Sequence, residues 1–561
     1  MFQSDSVIGR RQRLICDSLF YHIDPNELAR AYEGEHGPNF AEPEFAGKYM
    51  DICRAFCESG LAPDALGRAG IVAESVIRNQ RRDGYLGTFR AGLETEGFSV
   101  WNQAFTCFGL LSYGAAAKDG RALEAAERCV AYVAELFSRG GGHRWLDGGN
   151  QGSQHLAILL PAAQLYAATG KAAYRDLCES ILRECAESPT HDLLRRPSVM
   201  GMGTLKGIEM LAFLLGAAVY ARETGKAGLL DAVKAYWRDV NDTQITLTGC
   251  GTIGENWHRR GGDPAMTPVE LQPNENCVAV GWMELSVLLY DMTHDAAYYH
   301  AFERTLYNHL FGSQAPDGSD YAYFQGNYGL KVIATARDRY SCCRYRGLTM
   351  MAHLDECAVF ENGDDVYLPL YAAYTRAGRN ADIGMDTQYP ADGRVIVRVT
   401  PKAGRNIRVF FRIPDGCELM SLKADGRETA YETVNGHAAP LAEPRGEGTV
   451  YELAFRLLIR RARAVLDGQE TQAVTYGPVV LAIDTVNGTP VYSTTIDPDA
   501  AISPVDAGEK HIVRLETTGT VRGKKQKLIL TDYATSGMEH PGRDRFRVWL
   551  PVTGTDMEGI Y

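Results

Sequence analysis

The sequence predicts a two-part fold: an (α/α)6 toroid over residues 1–362, followed by a β-sandwich region over 363–561 in one or two lobes. Three observations predict it. Helical hairpins repeat through the first part, the hydrophobic period changes to two in the second, and 561 residues exceed what a single core supports.

The hairpins share one grammar. AAQLYAATGKAAYRDLCESIL (162–182), GAAVYARETGKAGLLDAVKAYW (216–237) and LSVLLYDMTHDAAYYHAFERTLY (285–307) each run as an apolar helix, a break at Thr followed by Gly or His, and an amphipathic helix. LLSYGAAAKDGRALEAAERCVAYV (110–133) is a looser copy. About six hairpins of this size fill the first 360 residues, the number that closes a toroid; an open solenoid is the alternative.

The second part alternates. GRVIVRVTP (393–401), NIRVFFRIPDG (406–416), GTVYELAFRLLIRRARAVL (448–466), AVTYGPVVLAID (473–484) and KQKLILTDY (525–533) carry β-branched residues between Gly, Pro and Asp turns, as sandwich strands do.

A net charge of -12 argues against a non-specific nucleic-acid binder, which needs a basic stripe to displace phosphate counterions. The chain begins without a secretory leader pattern and has no apolar run of ~18 residues, so a cytoplasmic protein without a membrane segment is expected. Thirteen cysteines, an odd number without dense spacing, suit a reducing compartment where clustered thiols are candidates for metal binding or catalysis.

Three stretches carry such candidates. TGCGTIGENWHRRGGDP (248–264) is a Gly-rich loop delivering Glu255; PNENC (273–277) sets Glu275 two residues from Cys277; YSCCRYRG (340–347) sets Cys342 beside Cys343. Adjacent cysteines do not readily bridge each other. Glu275, Cys277, Cys342 and Cys343 have the number and softness of a tetrahedral zinc site, whereas the absence of CxxC spacing leaves buried, unconnected thiols open.

The order of TGCGTIGE, ENC, YNHLFGSQAPDGSDYAYF (307–324), YSCC, VYLPLYAAYT (366–375) and VTYGPVVLAID resembles glycoside hydrolase family 127, known for β-L-arabinofuranosidases. The resemblance spans about residues 10 to 490 and implies an (α/α)6 barrel followed by β-sandwiches. It implies Zn2+ held by Glu275, Cys277, Cys342 and Cys343, with Cys342 as nucleophile and Glu255 as general acid/base. The implied reaction is retaining, exo-acting release of a furanose-like pentose from plant-derived oligosaccharides through a thioglycosyl-cysteine. Glu270 is a lower-ranked rival acid, and Trp257 beside Glu255 is expected to raise its pKa by desolvation.

The chain also departs from its relatives. They present histidines to the sugar where this chain has Lys206 and, nearby, only His155; a lysine there suits an acidic sugar. Trp257 and Tyr323 are expected to stack on the substrate. Relatives place Gly or Pro close behind the cysteine pair, where this chain has RYRG. Other readings are a carbohydrate-binding protein with structural zinc, or another α/α-toroid sugar enzyme such as an epimerase or an unsaturated-uronide hydrolase or lyase. A homodimer is left open.

Overall fold

The computed structural model describes residues 1–138, 143–202, 204–258, 271–333, 341–466, 468–486 and 488–553. Its helices are α1 (Val7–Ser18), α2 (Pro25–Arg30), α3 (Glu42–Ser59), α4 (Ala65–Asn79), α5 (Ser99–Ala117), α6 (Gly120–Ser138) and α7 (Leu159–Thr169). They continue as α8 (Ala172–Glu187), α9 (Gly207–Thr224), α10 (Ala227–Thr243), α11 (Asn276–Thr293), α12 (Ala296–Thr305), α13 (Phe311–Ser313) and α14 (Cys342–His353).

Among the described residues, α3, α5, α7, α9, α11 and α14 form an inner ring in which each packs on the next and α14 returns to α3. The ring is therefore closed, and the open solenoid is excluded. Helices α4, α6, α8, α10 and α12 lie outside, each packed against the inner helix that precedes it. Burial explains the division: α9 is buried along almost its whole length, while α10 buries one face.

The repeated Thr turns three of the hairpins. Thr169, Thr224 and Thr293 each donate a side-chain hydrogen bond to the carbonyl four residues back. The next residue, Gly170, Gly225 or His294, then ends the helix in the left-handed region. These three inner-to-outer turns, 170–171, 225–226 and 294–295, are thus two residues long, and that between α3 and α4 is five. The outer-to-inner connections, such as 188–206 and 244–275, are long, so one rim of the ring carries all the substantial loops and every inner-helix N-terminus.

After Phe360 the chain is β. A six-stranded antiparallel sheet and a five-stranded sheet come first. Phe411 of the second meets Tyr451 of the first at 5.1 Å between ring centroids, as facing sandwich layers do. The stretch 448–466 divides at Leu458 into Thr449–Leu457 in the six-stranded sheet and Ile459–Leu466 at the edge of a third, ten-stranded sheet. The amide of Leu458 bonds Gly416 O, which fixes the crossing point. The third sheet also takes in Tyr328–Leu330 from the helical part, through pairing with Arg545–Arg547. No helix among the described residues is long and apolar enough to cross a membrane.

Candidate active site

The site forms where the long-loop rim folds over the inner-helix N-termini. Two short strands, β1 (Thr252–Ile253) and β2 (Asn256–Trp257), pair antiparallel around Gly254 and Glu255. Both turn residues have positive φ, 53° and 67°, as a two-residue type I′ hairpin requires. A glutamate in the left-handed region is disfavoured, and such residues gather at functional sites. The hairpin is fastened to the approach of α9, with Trp257 N donating to Leu205 O at 2.7 Å and Gly207 N to Glu255 O at 3.0 Å.

That fastening sets Glu255 against Lys206. The Lys206 ammonium ion-pairs with Glu255 Oε2, and the Tyr323 hydroxyl donates to Oε1 at 2.6 Å. Both partners donate, so this geometry fits a carboxylate. Cys342 Sγ lies 3.3 Å from the same Tyr323 oxygen.

Tyr323 belongs to a segment that also builds the thiol cluster. Glu275 bridges Phe324, and Asn276 N donates to Tyr323 O at 2.9 Å, so the N-terminus of α11 and residues 323–324 run side by side. Asn276 Nδ2 reaches across to Cys343 O at 3.1 Å, tying α11 to α14. The ligand atoms of Glu275, Cys277, Cys342 and Cys343 consequently all lie within 4.8 Å of one another. Cys277 Sγ and Cys343 Sγ are 3.2 Å apart.

Four acidic groups so placed suit a cation. Burial pushes Glu275 up to about 8, helped by the charge on Cys342, and pushes the Cys277 and Cys343 thiols well above their ordinary value. Cys342 goes the other way, held well below its usual range by hydrogen bonds from Cys277 and Cys343, with Lys48 assisting. Glu275 Oε2 is buried with no hydrogen-bond partner, and the donor set is soft. A bound metal ion fits both facts: it would supply the missing partner and stabilise the deprotonated thiols.

Two expected site residues lie elsewhere. Trp257 is 1% exposed and packs in the helical core, so it neither stacks on substrate nor desolvates Glu255 from the pocket side. His155 is 2% exposed, with its ring nitrogens 2.9 Å from Trp145 O and 3.2 Å from Thr95 O. It is a strut between rim segments. Glu270 lies outside the described residues.

Other polar groups escaped the sequence reading. On α3 the buried Glu44 and Lys48 pair, and Trp101 Nε1 of α5 donates to Glu44 Oε2 at 2.6 Å. On α9 the buried Glu209 accepts from Asn150 Nδ2 at 2.9 Å and from Ser153 Oγ. A signal was present: Glu44 and Lys48 form a Glu-x3-Lys pair on α3, and Glu209 stands ahead of the long apolar run of α9.

RYRG is structural. Arg344 Nε bonds Asp320 Oδ1 at 2.8 Å, Tyr345 stacks on Phe45 at 5.1 Å, and Arg346 pairs with Glu284 at 2.5 Å. At Gly347 a Cβ would meet the Tyr321 ring at 2.6 Å, so the close approach needs glycine.

The family model for the β-L-arabinofuranosidase GH127 catalytic domain matches residues 38–356, more than half of the chain. The chain belongs to glycoside hydrolase family 127. As a GH127 protein it is a glycoside hydrolase and takes a glycoside as substrate. The solved GH127 β-L-arabinofuranosidase from Geobacillus stearothermophilus T6 superposes with a TM-score of 0.82 at 17% identity, covering 99% of this chain and 100% of the other. A second solved GH127 β-arabinofuranosidase gives 0.82 at 17% identity over 98% of this chain and 96% of its own. At that identity the likeness speaks for the fold, toroid and β-region together. No curated protein sequence matches.

Proposed function

We propose that this GH127 enzyme is a retaining, exo-acting β-L-arabinofuranosidase in which Cys342 is the nucleophile and Glu255 the general acid/base. Zn2+ is the proposed metal, with Glu275, Cys277, Cys342 and Cys343 as ligands; when bound it keeps the thiols ionised. The observation that carries this reading is the Tyr323 hydroxyl, which touches both reacting groups. Its two contacts hold the Glu255 carboxyl and the Cys342 sulfur within about 6 Å, close to the ~5–5.5 Å separation of a retaining pair and too short for an inverting one.

In the first step Cys342 sulfur attacks the anomeric carbon, a C–S bond forms, the glycosidic C–O bond breaks, and Glu255 gives its proton to the departing oxygen. Water then attacks the same carbon, Glu255 accepts the water's proton, and the C–S bond breaks to restore the thiolate. Before the first step Lys206 must leave Glu255, a movement its flexible four-carbon stem allows, and the freed carboxylate must take up from solvent the proton it then donates.

Lys206 is already matched by Glu255, and Lys48 by Glu44. All thirteen cysteines are free thiols, in keeping with a reducing, cytoplasmic setting. The catalytic unit is proposed to end near residue 362, at the close of the strand Phe360–Asn362 that follows the last inner helix.

Intact-mass and peptide mapping after brief exposure to an aryl β-L-arabinofuranoside tests the reading. The expected result is one pentosyl adduct on Cys342, absent in Cys342→Ser. An adduct on another residue, or release of the inverted sugar seen by NMR, would overturn it.

A further inference from the structure

Beneath the thiol cluster the ring of inner helices surrounds a cavity of about 480 Å³ that extends toward the end of the toroid opposite the long-loop rim, where Asp291, His353 and Phe360 line it. It starts at Arg346 and Glu284. Glu284 is seven residues along α11 from Cys277, about 10 Å at the rise of an α-helix. Protein interiors hold few voids larger than a water molecule, and 480 Å³ lies in the range of small-molecule pockets. The space exists because α5, the turn before α7, and α9 contribute Ala104, Ala157 and Ala212, where larger side chains would fill it. Phe105, Leu160 and Met350 give it an apolar wall.

The polar lining defines the ligand. Every charged group in the wall already has a counter-ion. Asp51 and Glu356 both pair with His353 and Arg54, Glu284 pairs with Arg346, and Asp291 lies 3.8 Å from Arg222. A charged ligand would enter without a partner, at high desolvation cost. Two hydrogen-bonding atoms of wall residues are buried without a partner: Nε of the Arg346 guanidinium, a residue only 6% exposed whose charge Glu284 balances, and Oε1 of Gln164. One donates and the other accepts. A hydroxyl does both, so it can answer either group.

We propose that this cavity is a binding site, separate from the catalytic centre, for a neutral apolar molecule bearing hydroxyl groups, such as a phenol or a bulky alcohol. Arg346 and Gln164 take its hydroxyls, and the Phe105, Leu160 and Met350 wall takes its apolar body.

The test is titration of the full-length protein with 2-naphthol, followed by fluorescence and calorimetry. Saturable one-to-one binding is expected, with naphthalene-2-sulfonate at least about tenfold weaker because its charge finds no partner. Ala212→Phe and Ala104→Leu fill the space from different helices, and each is expected to weaken binding about tenfold or more while glycoside hydrolysis persists. 2-Naphthol should not compete with the glycoside. Absence of saturable binding, equal binding of the sulfonate, undiminished binding in the folded filled variants, or competition with substrate would each overturn the proposal. If one variant does not fold, the other decides; if neither folds, the sulfonate and competition measurements still do.

Discussion

The Tyr323 hydroxyl donates to Glu255 Oε1 at 2.6 Å while Cys342 Sγ stands 3.3 Å from the same oxygen. One phenol therefore sets the spacing of the two groups proposed to cleave the glycosidic bond and then release the sugar. Tyr323→Phe keeps the ring and removes only that link. A hydrogen bond to a charged group is worth roughly 1.5–3 kcal/mol, so kcat should fall about 10- to 100-fold. Metal content and thermal midpoint are expected to stay near wild type; steady-state kinetics and metal analysis on the same preparation check it.

Glu255→Gln removes the proposed proton donor and acceptor but keeps the side chain's shape. Loss of general acid/base catalysis corresponds to about 10²- to 10⁴-fold in turnover. The loss should shrink on substrates whose leaving group needs no proton, such as a dinitrophenyl glycoside. An equal loss on all leaving groups would take Glu255 out of the acid role.

Lys206 pairs with Glu255, and the two side chains are equally exposed at 24%. If Lys206 serves Glu255 and not the sugar, Lys206→Met should lower turnover on a neutral pentofuranoside and on its carboxylated analogue by the same factor. A selective loss on the acidic analogue would restore the carboxylate-reading role.

Chelation and ligand replacement probe the cluster separately from catalysis. Prolonged dialysis against a strong chelator, or Cys277→Ala, should remove the metal and lower the melting temperature, because α11 and α14 lose a shared tie at their N-termini. Zinc should restore the wild type and leave Cys277→Ala unchanged, as read by calorimetry.

At the other end of the ring His353 of α14 lies 2.7 Å from Asp51 Oδ2 of α3, across the seam where the last inner helix meets the first. Burial alone would depress the His353 pKa, but the Asp51 and Glu356 carboxylates outweigh it and raise the group to about 10. The sign follows. Below the ordinary histidine value of ~6.5 the pairing stabilises the fold in full, and the contribution is lost as pH climbs through about 10. His353→Gln should flatten the decline in stability between those limits, measured by denaturant unfolding at a series of pH values.

How far the sequence carried differs between fold and site. The Thr break that follows Tyr166, Tyr220 and Tyr290 was legible because an αL helix end has a local cause, and the switch to period two was legible because a pleated strand exposes alternate residues on opposite faces. The stretch 448–466 read as one β run, since alternation does not reveal that two halves pair in different sheets. In the site, the residue types of Glu275, Cys277, Cys342 and Cys343 suggested a ligand set and the family resemblance implied it, although their spacing did not, and the ring brought them within 4.8 Å. Trp257 and His155 misled because neighbours in sequence on a strand or at a helix start need not face the same way. Trp257 lies two residues beyond Glu255 and is buried in the core, while the Glu255 carboxylate reaches Lys206 and Tyr323.

The sequence by itself determined the local states: which segments are helices, where each turns, where β-structure begins, and which residues could ligate or attack. Only the tertiary structure decided that the ring closes. It likewise decided that Tyr323 stands between Glu255 and Cys342, that Lys206 is engaged by a carboxylate, and that three alanines leave a cavity behind the site. The physical reason is range. Helix ends and strand faces are set by neighbours a few residues apart, whereas these contacts join residues tens to hundreds of positions apart, and the packing of the whole toroid determines whether they meet.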